Sequence, residues 1–314
     1  MKSKILYLLF GIIFLISAFK IPDFIKLEYP SYFPEPTYNF PKNPLTEAKI
    51  ELGRVLFYDP ILSKDSSISC ASCHSPYNSF AHTDHDLSHG INDEIGNRNA
   101  PALINLAWQS SFMWDGAINH LDMQALTPIS DPKEMSEDIN NVIHKLKNKN
   151  IYPGLFYNAY NDSTITGEYI LKAIAQFQLT LVSANSKYDK VKINKEKFNE
   201  LELKGYQLFR DNCNTCHTEP LFSTYQFANN GLTVDSSLSD YGKWTITKNT
   251  KDSLLFKIPT LRNLSFTHPY MHDGRFDKLH QVINHYNSNN DIYNHTTRRA
   301  GCGATRRAGC GATS

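Results

Sequence analysis

The chain has 314 residues, of which 41% are hydrophobic and 20% are charged, and this is enough for one large or two ordinary domains with buried cores. Its 15 glycines and 15 prolines exclude collagen-like and disordered classes. The formal net charge is +1, but four of the 32 basic residues lie close to the C-terminus. Without them the balance is negative, which excludes a typical nucleic-acid-binding protein.

The N-terminus combines a basic start with a short apolar run. Lys2 and Lys4 precede a nearly unbroken apolar stretch over residues 5–19. A membrane-spanning helix needs about 20 such residues, so this shorter run is typical of a secretory signal. No clear small-residue cleavage site follows, which leaves an uncleaved N-terminal anchor as the alternative. We therefore expect residues 1–20 to direct export and the body of the chain to be periplasmic.

Two C-x-x-C-H motifs are the strongest indication of a cofactor in the sequence. Their residues are Cys70, Cys73, His74, Cys213, Cys216 and His217. In c-type haem attachment, the two thiols bind the two vinyl groups of one porphyrin and the histidine is the proximal ligand of the iron. The alternatives for each motif are a thioredoxin-like C-x-x-C and half of a zinc site. Because a chance C-x-x-C-H is rare, and the chain also carries an export signal, we predict two covalently attached c-type haems.

The apolar periodicity between the two ends of the chain is mostly helical. Residues 167–184 carry Ile170 and Ile174 on one apolar stripe, as an amphipathic helix requires. Residues 196–210, which lead into the second haem motif, and residues 277–287 also fit helices. Alternating strand patterns are scarce. The sequence therefore predicts an all-α fold with long loops.

The separation of the two haem motifs predicts two modules. Polar residues crowd between positions 185 and 197, as is typical of a connecting segment. We therefore predict two cytochrome c-like haem domains, an N-terminal domain over residues 40–190 and a C-terminal domain over residues 197–297.

An eight-residue repeat forms the C-terminal end of the sequence. RAGCGATR at residues 299–306 is followed by RAGCGATS at residues 307–314. Because the repeat has low complexity and no apolar periodicity, we interpret residues 298–314 as an artefactual tail. The alternative is a metal-binding or disulfide-bonded tail built on Cys302 and Cys310, but histidines at ligand spacing are missing.

The sequence resembles the bacterial di-haem cytochrome c peroxidases from about residue 44 to residue 287. The resemblance rests on the two haem motifs and on Gln124, Pro128 and the segments 96–101, 113–116, 134–135, 259–263 and 269–274. It implies that the N-terminal haem is peroxidatic and that the C-terminal haem is an electron-transfer centre that supplies it.

The resemblance also implies roles at the first haem. His74 would be the proximal ligand, while Gln124, Pro128 and Glu134 would line the distal side, with Glu134 as the acid/base. Peroxide heterolysis requires a positioned carboxylate that moves a proton to the leaving oxygen. From its position alone, Glu134 would more often be a solvated surface charge.

Two further sites follow from the same resemblance. Trp114 would lie between the haems and relay electrons; the alternative is plain core packing. Asn99, together with the backbone carbonyls of Thr267 and Pro269, matches the calcium site of the family. Oxygen ligands suit Ca²⁺, and waters would have to complete the coordination shell.

The sequence departs from many family members at the second haem. Their sixth ligand is methionine, whereas this chain has Tyr286 at the matching position. Tyrosine there is the pattern of the related di-haem enzyme that matures the tryptophan-derived cofactor of methylamine dehydrogenase. An anionic oxygen ligand would stabilise oxidised iron and favour high-valent states. Met271 and His285 are the alternative ligands, and Tyr286 would then only continue the apolar stripe of its helix.

A second departure concerns the first haem. Many members have a histidine that blocks the resting peroxidatic iron, and Ile91 occupies that position here. His89 lies two residues earlier, and His82 and His85 are nearby, but loop histidines are most often solvated side chains. We therefore predict an open, five-coordinate iron that needs no reductive activation.

These features predict an exported di-haem peroxidase that reduces hydrogen peroxide to water. Its electrons would come from a small periplasmic donor, either a monohaem cytochrome c or a cupredoxin, and would pass from the His217 haem past Trp114 to the His74 haem. One alternative is an enzyme that uses peroxide equivalents to oxidise residues of a partner protein; another is a non-enzymatic di-haem electron carrier. No nucleic-acid partner is expected, and the sequence leaves a homodimer open.

Overall fold

A computed structural model describes residues 24–288 of the chain. The predicted signal or anchor at residues 1–20 lies outside the described residues, as does the tail at residues 298–314 with Cys302 and Cys310. Among residues 24–288, no helix has both the length and the apolar character that a membrane span requires.

The described part of the chain is mostly helical, as predicted. Its α-helices are α1 (Glu47–Tyr58), α2 (Cys70–Cys73), α3 (Leu121–Gln124), α4 (Leu126–Ser130), α5 (Ile139–Lys147), α6 (Ile151–Tyr160), α7 (Gly167–Leu179), α8 (Lys187–Lys192), α9 (Glu200–Asn212), α10 (Trp244–Thr247) and α11 (Leu279–Ser288). Two short antiparallel strands, β1 (Phe227–Ala228) and β2 (Phe256–Lys257), pair with Phe227 opposite Lys257. Long irregular segments connect these elements, in line with the predicted loops.

Helices α1 and α7 form the centre of the N-terminal half. Each begins at a threonine whose side chain accepts a hydrogen bond from the first turn, Thr46 from the Lys49 N–H and Thr166 from the Tyr169 N–H. The helices approach closely at Gly53, where a Cβ would lie 1.9 Å from the Ala173 carbonyl oxygen. Glycine is therefore required at this crossing.

The apolar stripe predicted for residues 167–184 is buried in α7, where Ile170 and Ile174 are fully enclosed. The helix ends earlier than predicted, at Leu179. The Thr180 hydroxyl donates to the Phe177 carbonyl oxygen at 2.7 Å, which ends the helical hydrogen-bond ladder.

Two apolar clusters fill the interior. The first lies within the N-terminal half and includes Leu52, Leu56, Ile129, Leu146, Phe156 and Ile174. The second is rich in aromatic residues and includes Phe33, Phe57, Trp108, Phe112, Leu221 and Tyr225. Because Leu221 and Tyr225 follow the second haem motif, the second cluster joins the two halves of the chain.

Buried ion pairs also join the halves. The Arg262 guanidinium bonds to both oxygens of Asp189, at 2.8 and 2.9 Å, and both side chains are almost fully buried. Arg98 bonds to Asp115 and to Asp240, each at 2.6 Å. Removing one partner of such a pair would leave an uncompensated buried charge, so these contacts fix how the halves are arranged.

Candidate haem sites

The first C-x-x-C-H motif begins with the single helical turn α2. Ser69 caps this turn, and the Ser72 hydroxyl accepts a hydrogen bond from the Ser69 N–H at 3.1 Å. Because Cys70 and Cys73 are three residues apart on the turn, their thiols lie on the same side. Both thiols line one cavity in the N-terminal half of the chain.

His74 lines the same cavity. Its Nδ1 donates to the Phe80 carbonyl oxygen at 2.8 Å. Burial lowers the pKa of His74 to about 4, so the imidazole is neutral and its lone pair is on Nε2. This tautomer, held by a backbone carbonyl, is the form in which histidine coordinates iron.

The three predicted distal residues line the cavity as well. Gln124 ends α3, Pro128 lies in α4, and Glu134 follows in a turn. This turn folds back because the Met135 N–H donates to the Pro128 carbonyl oxygen at 3.1 Å. The structure thus brings together the residues that the family resemblance assigned to the first haem.

The Glu134 carboxyl is half-buried in the cavity wall. Burial, with a smaller contribution from the charge of Asp131, raises the pKa of Glu134 to about 7. Burial likewise raises the pKa of the Cys73 thiol to about 11, and the Glu134 charge contributes to that shift. The carboxyl and the thiol are therefore close enough to interact across the cavity.

Gln178 reaches the cavity from α7. Its amide donates to Gln124 Oε1 at 3.4 Å, while its own Oε1 is buried without a partner within residues 24–288. A buried oxygen of this kind requires a ligand or a water. The two thiols and the neutral imidazole in the same cavity are the groups that a covalently attached haem would need. No motif marks Gln178 in the sequence, so its contribution was not predicted.

Three histidines stack beside the cavity. The ring centroids of His85 and His89 are 4.4 Å apart, and those of His82 and His85 are 5.6 Å apart. His89 lines the cavity, but its Nδ1 lies 2.6 Å from a carboxylate oxygen of Asp93. Ile91, at the expected position of a blocking histidine, is buried.

The second C-x-x-C-H motif follows α9, with Cys213 as the capping residue of that helix. The Nδ1 of His217 lies 3.1 Å from the Pro259 carbonyl oxygen and 3.3 Å from the Phe222 carbonyl oxygen. Burial lowers the pKa of His217, so this imidazole is also neutral at pH 7. The histidines of the two motifs are thus held in the same way, and both are suited to coordinate haem iron.

Tyr286 lies on α11 beside the second motif. Burial raises its pKa to about 12, and both thiols of the motif are near enough to contribute to the shift. Met271 and His285, the alternative ligands of the second iron, both contact Asn230. The Asn230 amide donates to Met271 Sδ at 3.4 Å, and its carbonyl oxygen lies 2.9 Å from His285 Nε2.

An internal repeat relates the two sites. Several residues recur at one constant offset, among them Pro101, Leu103, Asn105 and Met113 as Pro259, Leu261, Asn263 and Met271. The two asparagines and the two methionines all have positive φ, between 55° and 77°. The same offset relates Pro128 to Tyr286. This signal is present in the sequence and is a second reason to select Tyr286.

Trp114 is hydrogen-bonded to both halves of the chain. Its indole Nε1 donates to the Asn99 carbonyl oxygen at 2.8 Å, and its own carbonyl oxygen accepts from the Lys257 N–H at 2.7 Å. The Asn99 N–H donates in turn to the His272 carbonyl oxygen at 2.8 Å. The half-buried Trp114 ring therefore lies where the two halves of the chain meet.

Lys257 is a half-buried lysine whose role the sequence did not reveal. Its Nζ donates to Gln109 Oε1 at 2.8 Å and to the Ser111 carbonyl oxygen at 2.9 Å. Both acceptors are neutral, and burial lowers the pKa of Lys257 to about 7. Lys257 of β2 is thus hydrogen-bonded to Gln109, Ser111 and Trp114, which lie in one segment.

Asn99 also lies next to the segment of the predicted calcium site. Its N–H bonds to His272, three residues beyond Pro269, and its amide Nδ2 donates to the Asp86 carbonyl oxygen at 3.2 Å. This leaves the Asn99 Oδ1 as the side-chain atom suited to a cation. Within residues 24–288, no group of three or more His, Cys, Asp or Glu side chains could hold a metal ion. An oxygen site with Thr267 and Pro269 would use backbone carbonyls instead.

Comparison with known proteins gives consistent results. The family model described as di-haem cytochrome c peroxidase matches residues 47–197. The methylamine utilization protein MauG of Methylorubrum extorquens is 36% identical over 254 residues, which cover 78% of this chain and 70% of that protein. Cytochrome c551 peroxidase of Nitrosomonas europaea is 37% identical over 243 residues, which cover 74% of this chain and 71% of that protein.

A solved structure shares the fold. The crystal structure of a MauG-like protein associated with microbial copper homeostasis superposes with a TM-score of 0.75. It is 29% identical, and the match covers 83% of this chain and 81% of that chain.

Proposed function

This chain belongs to the di-haem cytochrome c peroxidase family, and we propose that it reduces hydrogen peroxide to water with electrons from a small redox protein. One observation carries the proposal: the cavity lined by the first haem motif is also lined by Gln124, Pro128 and Glu134. The proposed attachment site for haem and a proton-transfer group of suitable pKa therefore share one cavity. A pure electron carrier has no use for such a carboxyl group.

Each C-x-x-C-H motif would hold one haem, with His74 and His217 as proximal ligands. When bound, haem supplies an iron that coordinates peroxide and exchanges electrons with it. The chain supplies the proton chemistry. Glu134 would accept a proton from the bound peroxide and return it to the leaving oxygen, a task for which a pKa near the working pH is best. Gln124 would orient the peroxide through its amide group.

We propose that the first site is open in the resting protein. Ile91 cannot coordinate iron, and the bond between His89 and Asp93 holds that histidine on a carboxylate. Both features support a site that takes peroxide without prior reduction.

Trp114 is proposed as the electron relay between the sites. Its hydrogen bonds to Asn99 and Lys257 tie it to both halves of the chain, which supports this role over simple packing. The division into haem domains at residues 40–190 and 197–297 belongs to the same proposal. Calcium bound by Asn99, Thr267 and Pro269 would stabilise the segment beside Trp114.

Tyr286 is proposed as the sixth ligand of the second iron. Its place beside the thiols of the second motif supports this, as does its repeat relationship to Pro128. The same feature favours a second candidate function, in which peroxide equivalents are held and used to oxidise residues of a partner protein. The similarity to the methylamine utilization protein agrees with that candidate.

The site of action is proposed to be the periplasm, in keeping with the predicted export signal and with covalent haem. The donor is proposed to be a monohaem cytochrome c or a cupredoxin.

Steady-state turnover tests the proposed function. The protein with both haems attached should oxidise a reduced monohaem cytochrome c when peroxide is added. Glu134→Gln should lower turnover by about 10²- to 10⁴-fold, the usual contribution of general acid–base catalysis. Glu94→Gln, a change of an exposed carboxyl in the neighbouring loop, is the matched control and should retain activity. Equal turnover in the two variants would refute the role of Glu134.

A further inference from the structure

Two tyrosines near the second haem motif share one carboxylate. The Tyr188 hydroxyl donates to Glu219 Oε2 at 2.7 Å. The Tyr206 hydroxyl lies 2.9 Å from each oxygen of Glu219. Lys192 Nζ lies 3.5 Å from Glu219 Oε2 and keeps a positive charge beside the carboxylate. We call Tyr188, Tyr206 and Glu219 the tyrosine cluster.

The tyrosine cluster is connected to His217, the proposed proximal ligand of the second site, through Phe222. Glu219 is two residues beyond His217 in the sequence. The Tyr188 ring contacts the Phe222 ring edge-to-face, with centroids 4.7 Å apart, and the Phe222 carbonyl oxygen lies 3.3 Å from His217 Nδ1. One ring contact and one hydrogen bond therefore connect the phenol to the histidine.

The surroundings determine how Tyr188 could be oxidised. The Arg262 guanidinium lies 5.8 Å from the Tyr188 ring centroid and 5.4 Å from that of Phe222. A positive charge so close disfavours a tyrosine radical cation, so the proton must leave together with the electron. Burial and the bond to Glu219 raise the pKa of Tyr188, so the phenol keeps its proton until it is oxidised. Glu219 is already hydrogen-bonded to receive that proton.

We propose that the tyrosine cluster is a redox-active site that discharges oxidising equivalents from the second haem site when no donor protein is bound. The inference rests on the proposed peroxidase function, because peroxide supplies the oxidant. Tyr188 would give one electron to the peroxide-oxidised second site, and its phenolic proton would move to Glu219, leaving a neutral tyrosyl radical. Later, one electron from the donor protein and the proton returned by Glu219 would restore the phenol.

Tyr206 would share the radical with Tyr188. Both phenols bond to the same carboxylate, and their ring centroids are 6.3 Å apart. A proton on Glu219 can therefore return to one phenol as the other is oxidised. The radical would thus move to α9, which has no buried residue and faces solvent.

Freeze-quench EPR of the protein with both haems attached tests the proposal. One equivalent of peroxide is added without donor, to protein made with normal or ring-deuterated tyrosine. We expect a radical signal that narrows on deuteration. It should fall at least tenfold in the Tyr188→Phe/Tyr206→Phe double variant, which keeps both rings and removes only the hydroxyl groups. In that variant the peroxide-oxidised state should persist longer.

Two further variants sharpen the test. Glu219→Gln keeps a hydrogen-bond acceptor but cannot take a proton, so it should also suppress the radical. Tyr29→Phe removes another phenol that bonds to a carboxylate, that of Glu35, and should leave the signal unchanged. An undiminished radical in the double variant would overturn the proposal.

Photo-oxidation separates this proposal from the peroxidase function. A flash-generated ruthenium(III) oxidant needs no peroxide chemistry. It should give the same tyrosyl signal in the original protein and a strongly reduced one in the double variant. If peroxide is not consumed but photo-oxidation gives a weaker tyrosyl signal in the double variant, the proposed function is wrong and the redox role of the tyrosine cluster is supported. If peroxide is consumed and neither oxidant gives a signal that depends on the cluster, only the cluster proposal fails.

Discussion

The backbone N–H of Lys257 donates to the carbonyl oxygen of Trp114 at 2.7 Å, which joins β2 to the segment between the two haem motifs. The ammonium group of the same lysine bonds to Gln109 and to Ser111, at 2.8 and 2.9 Å. Lys257 therefore positions Trp114 from the other half of the chain. Its charge state should affect the stability of this junction.

Stability should depend on pH through Lys257. Burial lowers its pKa from 10.5 to about 7 in the folded protein. Between these values the unfolded chain binds one more proton, so stability should rise with pH, by at most about 1.4 kcal/mol per pH unit. Urea unfolding at pH 7.5 and 9 should show this slope, and Lys257→Met should abolish it. Lys251→Met, at an exposed site, is the control; the same slope in both variants would contradict the prediction.

The reaction with peroxide should depend on pH through Glu134. Only the ionised carboxyl can accept the proton of bound peroxide, and burial raises its pKa to about 7. The second-order rate constant should therefore fall as the pH drops through about 7 and level off above pH 8. Stopped-flow absorbance between pH 5.5 and 8.5 would measure this profile. A rate constant that does not change with pH would exclude Glu134 as the base.

Replacing Tyr286 should change the second haem alone. Tyr286→Met offers a thioether in place of a phenolate and should raise the reduction potential of that haem, because a thioether favours ferrous iron more than an anionic oxygen does. A spectroelectrochemical titration would resolve the two haems. Tyr270→Phe is the matched control, since the Tyr270 hydroxyl donates to the Leu264 carbonyl oxygen. An unchanged potential in the methionine variant would argue for Met271 or His285 as the ligand.

Trp114→Phe should slow electron transfer between the haems while leaving peroxide binding intact. It also removes the indole bond to Asn99, at a cost of about 1 kcal/mol in stability. Trp108→Phe removes a similar bond, from a buried indole to the Pro34 carbonyl oxygen, and serves as the control. The rate of electron transfer between the haems, measured by flash photolysis, should fall markedly in Trp114→Phe and not in Trp108→Phe. Equal electron-transfer rates in the two variants would indicate that Trp114 only packs in the core.

Local signals explain what was predictable from sequence. The haem motifs are compact, and the apolar stripe of α7 follows directly from helical periodicity. The helix boundaries shift because capping depends on single hydrogen bonds. The helix predicted at residues 196–210 begins at Glu200, where the Asn199 side chain accepts the Glu202 N–H at 2.9 Å. The distal residues required the family resemblance, since no local pattern sets Glu134 apart.

Contacts between distant parts of the chain explain what was missed. Lys257 and Gln178 belong to no motif, and each acts on residues that the fold brings from far away in the sequence. The tyrosine cluster likewise combines α8, α9 and the end of the second haem motif. Burial and partners of this kind are set by tertiary packing, so composition and periodicity could not reveal them.

A single-turnover reaction tests directly whether the first haem site is open and whether Glu134 acts there as the base. One equivalent of hydrogen peroxide is added to the diferric protein, and optical and EPR spectra are followed for the original sequence and for Glu134→Gln. We expect the original protein to lose a high-spin ferric EPR signal within seconds, and the variant to lose it at least a hundredfold more slowly. No reaction in the diferric protein, but reaction after half-reduction, would contradict the open site at His74. No reaction in either state would contradict the peroxidase assignment.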